Sequence, residues 1–252
     1  MSLGGPTMTW YPSLAVAPTG GAALVSEGVG GVFAREFEPG TGWSNASWIG
    51  DGASWGPPQV SLDGRGAVMT VWTANVPASF DGIFSNRYVP GVGWGARERI
   101  DAPSNASASS RYPQLATDPG GNATAVWNAG AIWANRYAPG VGWGTPFRIQ
   151  APGNQAGWPD VAADAGGNAI VCWPARGSTS PNHTIFVSRL TSAAGWSTPA
   201  EIETNQTGES NRCRLSSDPA GNVFVLWEKA DDYLWGSHFA PQGGWEAPVP
   251  LN

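Results

Sequence analysis

Hydrophobic and polar positions alternate along this chain in short runs, and the runs come in sets of four. Between residues 113 and 149 the set reads "PQLAT" (113–117), "NATAVW" (122–127), "IWANRY" (132–137) and "TPFRI" (145–149). Alternation with period two, bounded by Gly, Pro, Asp and Asn, is the pattern of a half-buried β-strand. The first two runs are joined through Asp-Pro-Gly-Gly and the last two through Pro-Gly-Val-Gly-Trp. Aspartate in such a link accepts backbone N–H bonds and glycine supplies positive φ, so both links predict tight turns between antiparallel strands.

The whole set repeats. "PQLATDPGGNATAVW" (113–127) returns as "PQVSLDGRGAVMTVW" (58–72), "PDVAADAGGNAIVCW" (159–173) and "CRLSSDPAGNVFVLW" (213–227), with a weaker copy, "PSLAVAPTGGAALVS", at 12–26. The third run has counterparts in "VFAREF" (32), "IFSNRY" (83), "IFVSRL" (185) and "LWGSHF" (234), each followed by Gly-Trp and a closing aliphatic residue. Five units fill residues 12–251 at a period of about fifty residues, and four antiparallel strands a, b, c and d at that period predict an all-β, five-bladed β-propeller. Residues 1–8 read as a leader or tag, and 9–252 as a single propeller domain with blades at about 9–55, 56–110, 111–156, 157–210 and 211–252. Each blade is expected to be continuous in sequence; closure of the first blade by the last d strand is the alternative.

Chain direction puts the a–b and c–d turns on one end of the blades and the b–c and d–a links on the other. The first pair hardly changes in length, whereas the b–c link grows from Trp127–Ile132 in the third unit to Trp173–Ile185 in the fourth. Variable loops on a repeated scaffold are where binding sits, so function is expected on the b–c/d–a end.

Composition narrows the partners. Gly 35, Pro 22 and Trp 15 with 13% charged residues suit tight turns and short aromatic strands rather than amphipathic helices. A net charge of −6 with a single lysine, Lys229, speaks against nucleic acid, whose phosphates demand clustered Lys and Arg. No run of about eighteen apolar residues is available for insertion in a membrane.

The turn "ATDPGGNATAVW" (116–127) is similar to the Asp-box turn of sialidase-like and other carbohydrate-associated propellers, with different Gly and Trp spacing. Five Trp-rich units of this size also resemble the five-bladed lectin family of the tachylectin-2 type and, more loosely, bacterial propeller lectins. What matches is periodicity and turn chemistry over nearly the whole chain. The resemblance implies glycan or glycoconjugate binding, by a multivalent protein, in shallow sites between blades.

A sugar site needs an aromatic face for the apolar side of the pyranose and amides, carboxylates or Arg for its hydroxyls. Just before each a strand the chain offers Trp10 and Tyr11, Trp55, Tyr112, Trp158 and Arg212, with Asn105, Asn154, Gln155, Asn205, Gln206 and Asn211 close by. The structural alternative is that these aromatics wedge neighbouring blades apart. The fifth unit, with Arg212 in place of an aromatic, is expected to hold the weakest site. The Gly-Trp residues Trp43, Trp94, Trp143, Trp196 and Trp245, and Trp72, Trp127, Trp173 and Trp227 closing strand b, are expected in the core. Arg87, Arg136, Arg189 and His238 are expected to bond a neighbouring blade or pair with the turn aspartates Asp63, Asp118, Asp164 and Asp218, with a repeated anion site as the alternative.

The enzymatic alternative is a five-bladed glycosidase, which needs converging carboxylates of separated pKa. Repeated turn aspartates do not qualify as a unique pair. Glu27 and Glu228, following strand b in blades one and five, with Asp231 and Asp232 nearby, are the best acids on offer. A protein-binding scaffold is a third reading. No metal or cofactor is expected, since His183, His238, Cys172 and Cys213 lack ligand spacing. Each cysteine is expected to act as a small buried hydrophobe, with a disulfide as the alternative. The protein is expected to be a monomer. The lectin reading favours an extracellular setting, and the preference for Arg over Lys points to a bacterial gene, in which the five Asn-x-Ser/Thr sequons carry no glycan.

Overall fold

The computed structural model describes residues 9–52, 56–75, 81–101, 109–150, 155–177, 182–203, 208–230 and 233–252. It contains five antiparallel sheets, each built from one sequence unit. The first holds β1 (Thr9–Val16), β2 (Ala22–Gly28), β3 (Gly31–Glu38), β4 (Gly42–Trp43) and β5 (Ser47–Gly50). The second holds β6 (Gln59–Leu62), β7 (Val68–Ala74), β8 (Gly82–Val89), β9 (Gly93–Trp94) and β10 (Glu98–Arg99); the third, β11 (Arg111–Thr117), β12 (Ala123–Asn128), β13 (Ile132–Ala138), β14 (Gly142–Trp143) and β15 (Phe147–Arg148). The fourth holds β16 (Asp160–Ala163), β17 (Ala169–Arg176), β18 (His183–Thr191), β19 (Gly195–Trp196) and β20 (Ala200–Glu201); the fifth, β21 (Ser210–Ser217), β22 (Val223–Lys229), β23 (Leu234–Ala240), β24 (Gly244–Trp245) and β25 (Val249–Pro250). These are the blades of a five-bladed β-propeller. The last strand, β25, pairs with β23 of its own sheet, so each blade is continuous in sequence.

Strand d differs from its expected form. It is two short pieces, both paired to strand c: β14 to Tyr137–Ala138 and β15 to Trp133–Ala134. Pro146, Pro199 and Pro248 stand between the pieces in blades three to five, and a residue without an N–H cannot continue a ladder. In the third blade Asn135 fills the gap, its Nδ2 donating to the Gly144 carbonyl at 3.0 Å.

By contacts the chain forms two compact units, Met1–Ala125 with Asn135–Pro146, and Val126–Ala134 with Phe147–Asn252. In the first unit, Ala23 and Val25 of β2 pack with Val60, Val68 and Trp72 of the second blade. A Cβ on Gly50 would collide with the Trp72 ring, whose Nε1 donates to the Asp51 carbonyl at 3.2 Å. In the second unit, Cys172, Ile185 and Val187 of the fourth blade pack with Cys213, Val225 and Trp227 of the fifth. In each of these pairs the earlier blade presents a forward face, and the later blade meets it with a rear face bearing the b-strand tryptophan. Trp72, Trp127, Trp173 and Trp227 are fully buried.

Two side-chain expectations need correction. The Gly-Trp tryptophans are not buried inside the core but border it, Trp94 and Trp245 packing against the core clusters. Trp43 is exposed and the others half-buried, and four of them lean on the strand c aromatics Phe37, Tyr88, Tyr137 and Phe239 at 5.3 to 5.7 Å. Their two-residue strands lie at the sheet edge beside an exposed turn, where only one side of the indole is covered. The cysteines are buried but not as separate hydrophobes, because Cys172 and Cys213 form a disulfide. Forward face and rear face bring their Cα atoms to 6.3 Å, within bridging range.

At the a–b turns, Asp118 Oδ1 accepts the Asn122 N–H at 3.0 Å and its Oδ2 the Asn122 amide at 2.7 Å, a geometry repeated at Asp164 and Asp218. Arg87, Arg136 and Arg189 pair with Asp63, Asp118 and Asp164 of their own blades at 3.5, 3.8 and 3.7 Å, whereas His238 turns to Glu246 of the c–d link at 3.1 Å instead of Asp218. A Cβ on Gly121, where φ is +90°, would stand 2.9 Å from the Asp63 carboxylate, so glycine lets the third blade's turn press against the second's.

Candidate functional site

The other end is irregular from the first residues of strand a. Trp10 pairs with Glu27 and Ser13 with Val25, so Tyr11 and Pro12 together oppose Ser26 alone. In the fifth blade Asn211 pairs with Glu228 and Cys213 with Trp227, leaving Arg212 as an extra residue. Such β-bulges re-aim a side chain and interrupt pairing. The inserted residues are left-handed: φ is 52° at Tyr11, 24° at Arg212 and 56° at Tyr112, the equivalent position of the third blade. Gln155, at 39°, completes the non-glycine residues with positive φ among those described. A Cβ-bearing residue in this region costs about 1–3 kcal/mol. In two of the three blades the next residue is proline, which narrows the backbone further.

Within the first unit, Trp10 and Tyr11 are exposed on β1 beside the half-buried Glu27, whose carboxyl is pushed up by burial. Tyr112 is half-buried, with its ring edge against Gly56. Trp55 and Asn105 lie outside the described residues, as do Asn154, Asn205 and Gln206.

The second unit holds two clusters. In one, the Arg212 guanidinium sits 4.5 Å from the centroid of Trp158, so two residues expected to mark separate sites share one corner between the fourth and fifth blades, and one face of the indole is covered. Close by, the His183 ring contacts the Glu209 carboxylate through Nδ1 and lies 2.9 Å from the Gln155 carbonyl through Nε2. Filling both acceptors at once takes a doubly protonated imidazole. The hydrogen bond from His183 holds the Glu209 carboxyl below its usual range.

The other cluster is an open cleft of about 500 Å³ lined by Asn211, Glu228, Lys229, Ala230, Tyr233 and Leu234. Its floor carries a buried ion pair: Lys229 Nζ lies 2.6 Å from Glu203, whose other oxygen accepts the Ser210 hydroxyl at 2.6 Å. The Lys229 ammonium also lies 4.9 Å from the Trp235 ring centroid. With that lysine neutralised, the lining offers an exposed tyrosine, an amide, an exposed carboxylate and an aliphatic patch. Glu27 belongs to the first unit and Glu228 to the second.

Sequence reasoning missed Tyr233, His183, Glu209 and one further group. Glu36 Oε1 accepts the Trp94 indole N–H at 2.7 Å and its Oε2 the Ser44 hydroxyl at 2.7 Å. Glu36 stands where the next three blades carry Arg87, Arg136 and Arg189, and that reversal of charge in a repeated column was a readable signal.

No protein-family model and no curated protein matches this chain. Among solved structures it is similar to the BP39L lectin from Burkholderia pseudomallei, with 14% identity and a TM-score of 0.69 over 96% of this chain and 69% of that one. It is also similar to the six-bladed, fucose-recognising lectin of Aleuria aurantia, with 13% identity and a TM-score of 0.57 over 95% and 78%. The NanB sialidase of Streptococcus pneumoniae aligns at 13% identity and a TM-score of 0.52, over 79% of this chain and 32% of that one. At these identities the shared property is architecture: the chain is a five-bladed β-propeller of the same general build as lectin and sialidase propellers.

Proposed function

We propose that the protein is a multivalent carbohydrate-binding protein whose sites lie at the b–c/d–a end of the blades. The observation that carries this reading is the recurrence of a left-handed residue at one position in three blades, Tyr11, Tyr112 and Arg212. Packing alone gives no reason to hold a tyrosine that is 60% exposed, as Tyr11 is, in a left-handed conformation. A bulge that aims an aromatic ring outward beside a carboxylate provides the two halves of a pyranose contact, and the cleft with Tyr233, Asn211 and Glu228 provides them again. The lectins among the structural neighbours agree with this reading at the level of fold.

Tyr11→Gly separates the two roles of the residue. Glycine adopts φ near 50° without strain, so the variant is expected to melt higher than the wild type while losing binding at one site. A glycan array identifies the sugar, and titration calorimetry on that sugar is expected to show a loss of about 1.5–3 kcal/mol at the site, the value of a buried aromatic side chain. A lower melting temperature with unaltered stoichiometry would make Tyr11 a packing residue.

Glycoside hydrolysis is the second reading, favoured by the burial that raises the Glu27 carboxyl in the direction a general acid needs. A panel of aryl glycosides is expected to show no turnover. Turnover abolished by Glu228→Gln would reverse the order of the two readings.

A further inference from the structure

Tyr11, Tyr112, Trp158 and Arg212 occupy one position of the repeat, and in the fifth blade that position carries a cation in place of a ring. Arg212 is firmly placed. Its backbone is left-handed, with φ at 24°, and Cys213, the next residue, is pinned to Cys172 of the fourth blade by the disulfide. Its guanidinium lies over the Trp158 indole, 4.5 Å from the ring centroid, and both residues belong to the second compact unit. Stacking engages the flat face of a guanidinium while its five N–H donors point outward in the plane, so the contact restrains Arg212 without consuming a donor.

The acids close to this pair in sequence are engaged elsewhere. Glu209 Oε2 accepts the His183 backbone N–H at 3.1 Å while Oε1 meets the imidazole, and Arg176 acts on the same carboxylate. Asp160, two residues beyond Trp158, accepts the Val161 N–H at 3.0 Å and the Leu215 N–H at 2.8 Å, and burial pushes its carboxyl up. Arg87, Arg97, Arg99, Arg136 and Arg189 each face a carboxylate. Arg212 is exposed and has no such partner among the described residues.

We infer that this corner between the fourth and fifth blades is an anion subsite, which takes the carboxylate or sulfate group of an acidic saccharide on the outward edge of Arg212. The inference rests on the carbohydrate reading above and names the ligand class at one of its sites. A guanidinium edge meets two oxygens of such a group in a paired, charge-assisted contact, which a neutral hydroxyl cannot return. In a chain of net charge −6 an acidic glycan is repelled from much of the surface, so an arginine without a carboxylate partner also selects where on the molecule it docks. Counting aromatic faces alone puts the weakest site in the fifth blade. For an acidic glycan that order reverses.

A glycan array carrying neutral, uronic-acid, sialylated and sulfated glycans is expected to score acidic members. Carboxylated glycans alone, or sulfated ones alone, each bear the inference out and tell which oxyanion is bound. Titration of the strongest acidic member is expected to weaken as sodium chloride is added. Arg212→Gly removes the guanidinium and adopts the left-handed backbone without strain, so it is expected to melt no lower than the wild type and to lose about ten- to a hundredfold in affinity for that glycan. Arg212→Lys keeps the charge without the planar fork and is expected to fall between the two; it carries the test if the glycine variant melts lower. Acidic binding that either variant leaves unchanged, with its salt dependence intact, overturns the inference. An array on which neutral glycans alone score overturns it too but leaves the carbohydrate reading standing, whereas an empty array overturns both.

Discussion

Asp118 shows how much of this fold depends on single side chains. Its two oxygens accept two hydrogen bonds from Asn122 and face Arg136 while the residue is nearly fully buried. Asp118→Ala would leave the Asn122 N–H without its acceptor, so a loss of about 1–3 kcal/mol in denaturant unfolding is expected. The same substitution at the exposed Asp218 is expected to cost less, because water replaces the carboxylate. Glu209 adds a pH dependence. Its carboxyl is held below the ordinary value of 4.5 by His183, so the stability it contributes is present above that pH and is lost as the pH falls through the depressed value. His183→Ala is expected to flatten this acid limb in a series of melts, and an unchanged limb would mean that other carboxylates set it.

At the scale of elements, the strands and turns were readable because alternation with period two and Asp-Gly turn chemistry are local properties. The split of strand d was not, since it depends on whether Asn135 can reach the Gly144 carbonyl as well as on Pro146. Nor were the bulges. "WYPSLAV" alternates well enough to pass as a regular strand, and the left-handed Tyr11 appears only once β1 and β2 are in register. The aromatics before strand a were legible as candidates, but the stacking of Arg212 on Trp158 joins two blades and has no trace in either sequence unit. The disulfide escaped for the same reason, as Cys172 and Cys213 are 41 residues apart and meet only where β17 and β21 pack. Closing a loop of that size stabilises by about 2–4 kcal/mol. Cys213→Ser is therefore expected to lower the melting temperature without changing ligand stoichiometry, and a reductant is expected to lower the wild type to the same point.

Across the molecule, repetition makes weak sites count. One scaffold drawn five times carries Tyr11, Tyr112, Trp158 and Arg212 at one corner, so the proposed sites are similar in place and unequal in chemistry. An exposed ring with one or two polar partners supports modest affinity on its own. Several such sites on one chain turn the second contact with a glycan-bearing surface into an intramolecular event, and avidity rises without any new contact. Retention on a surface is therefore expected to rise far more steeply with glycan density than a single-site isotherm allows, and Tyr11→Gly is expected to flatten that dependence more than it weakens binding of the free sugar. Retention that follows the free-sugar isotherm at every density would mean that one site acts alone, and the five-fold repeat would then serve the fold rather than recognition.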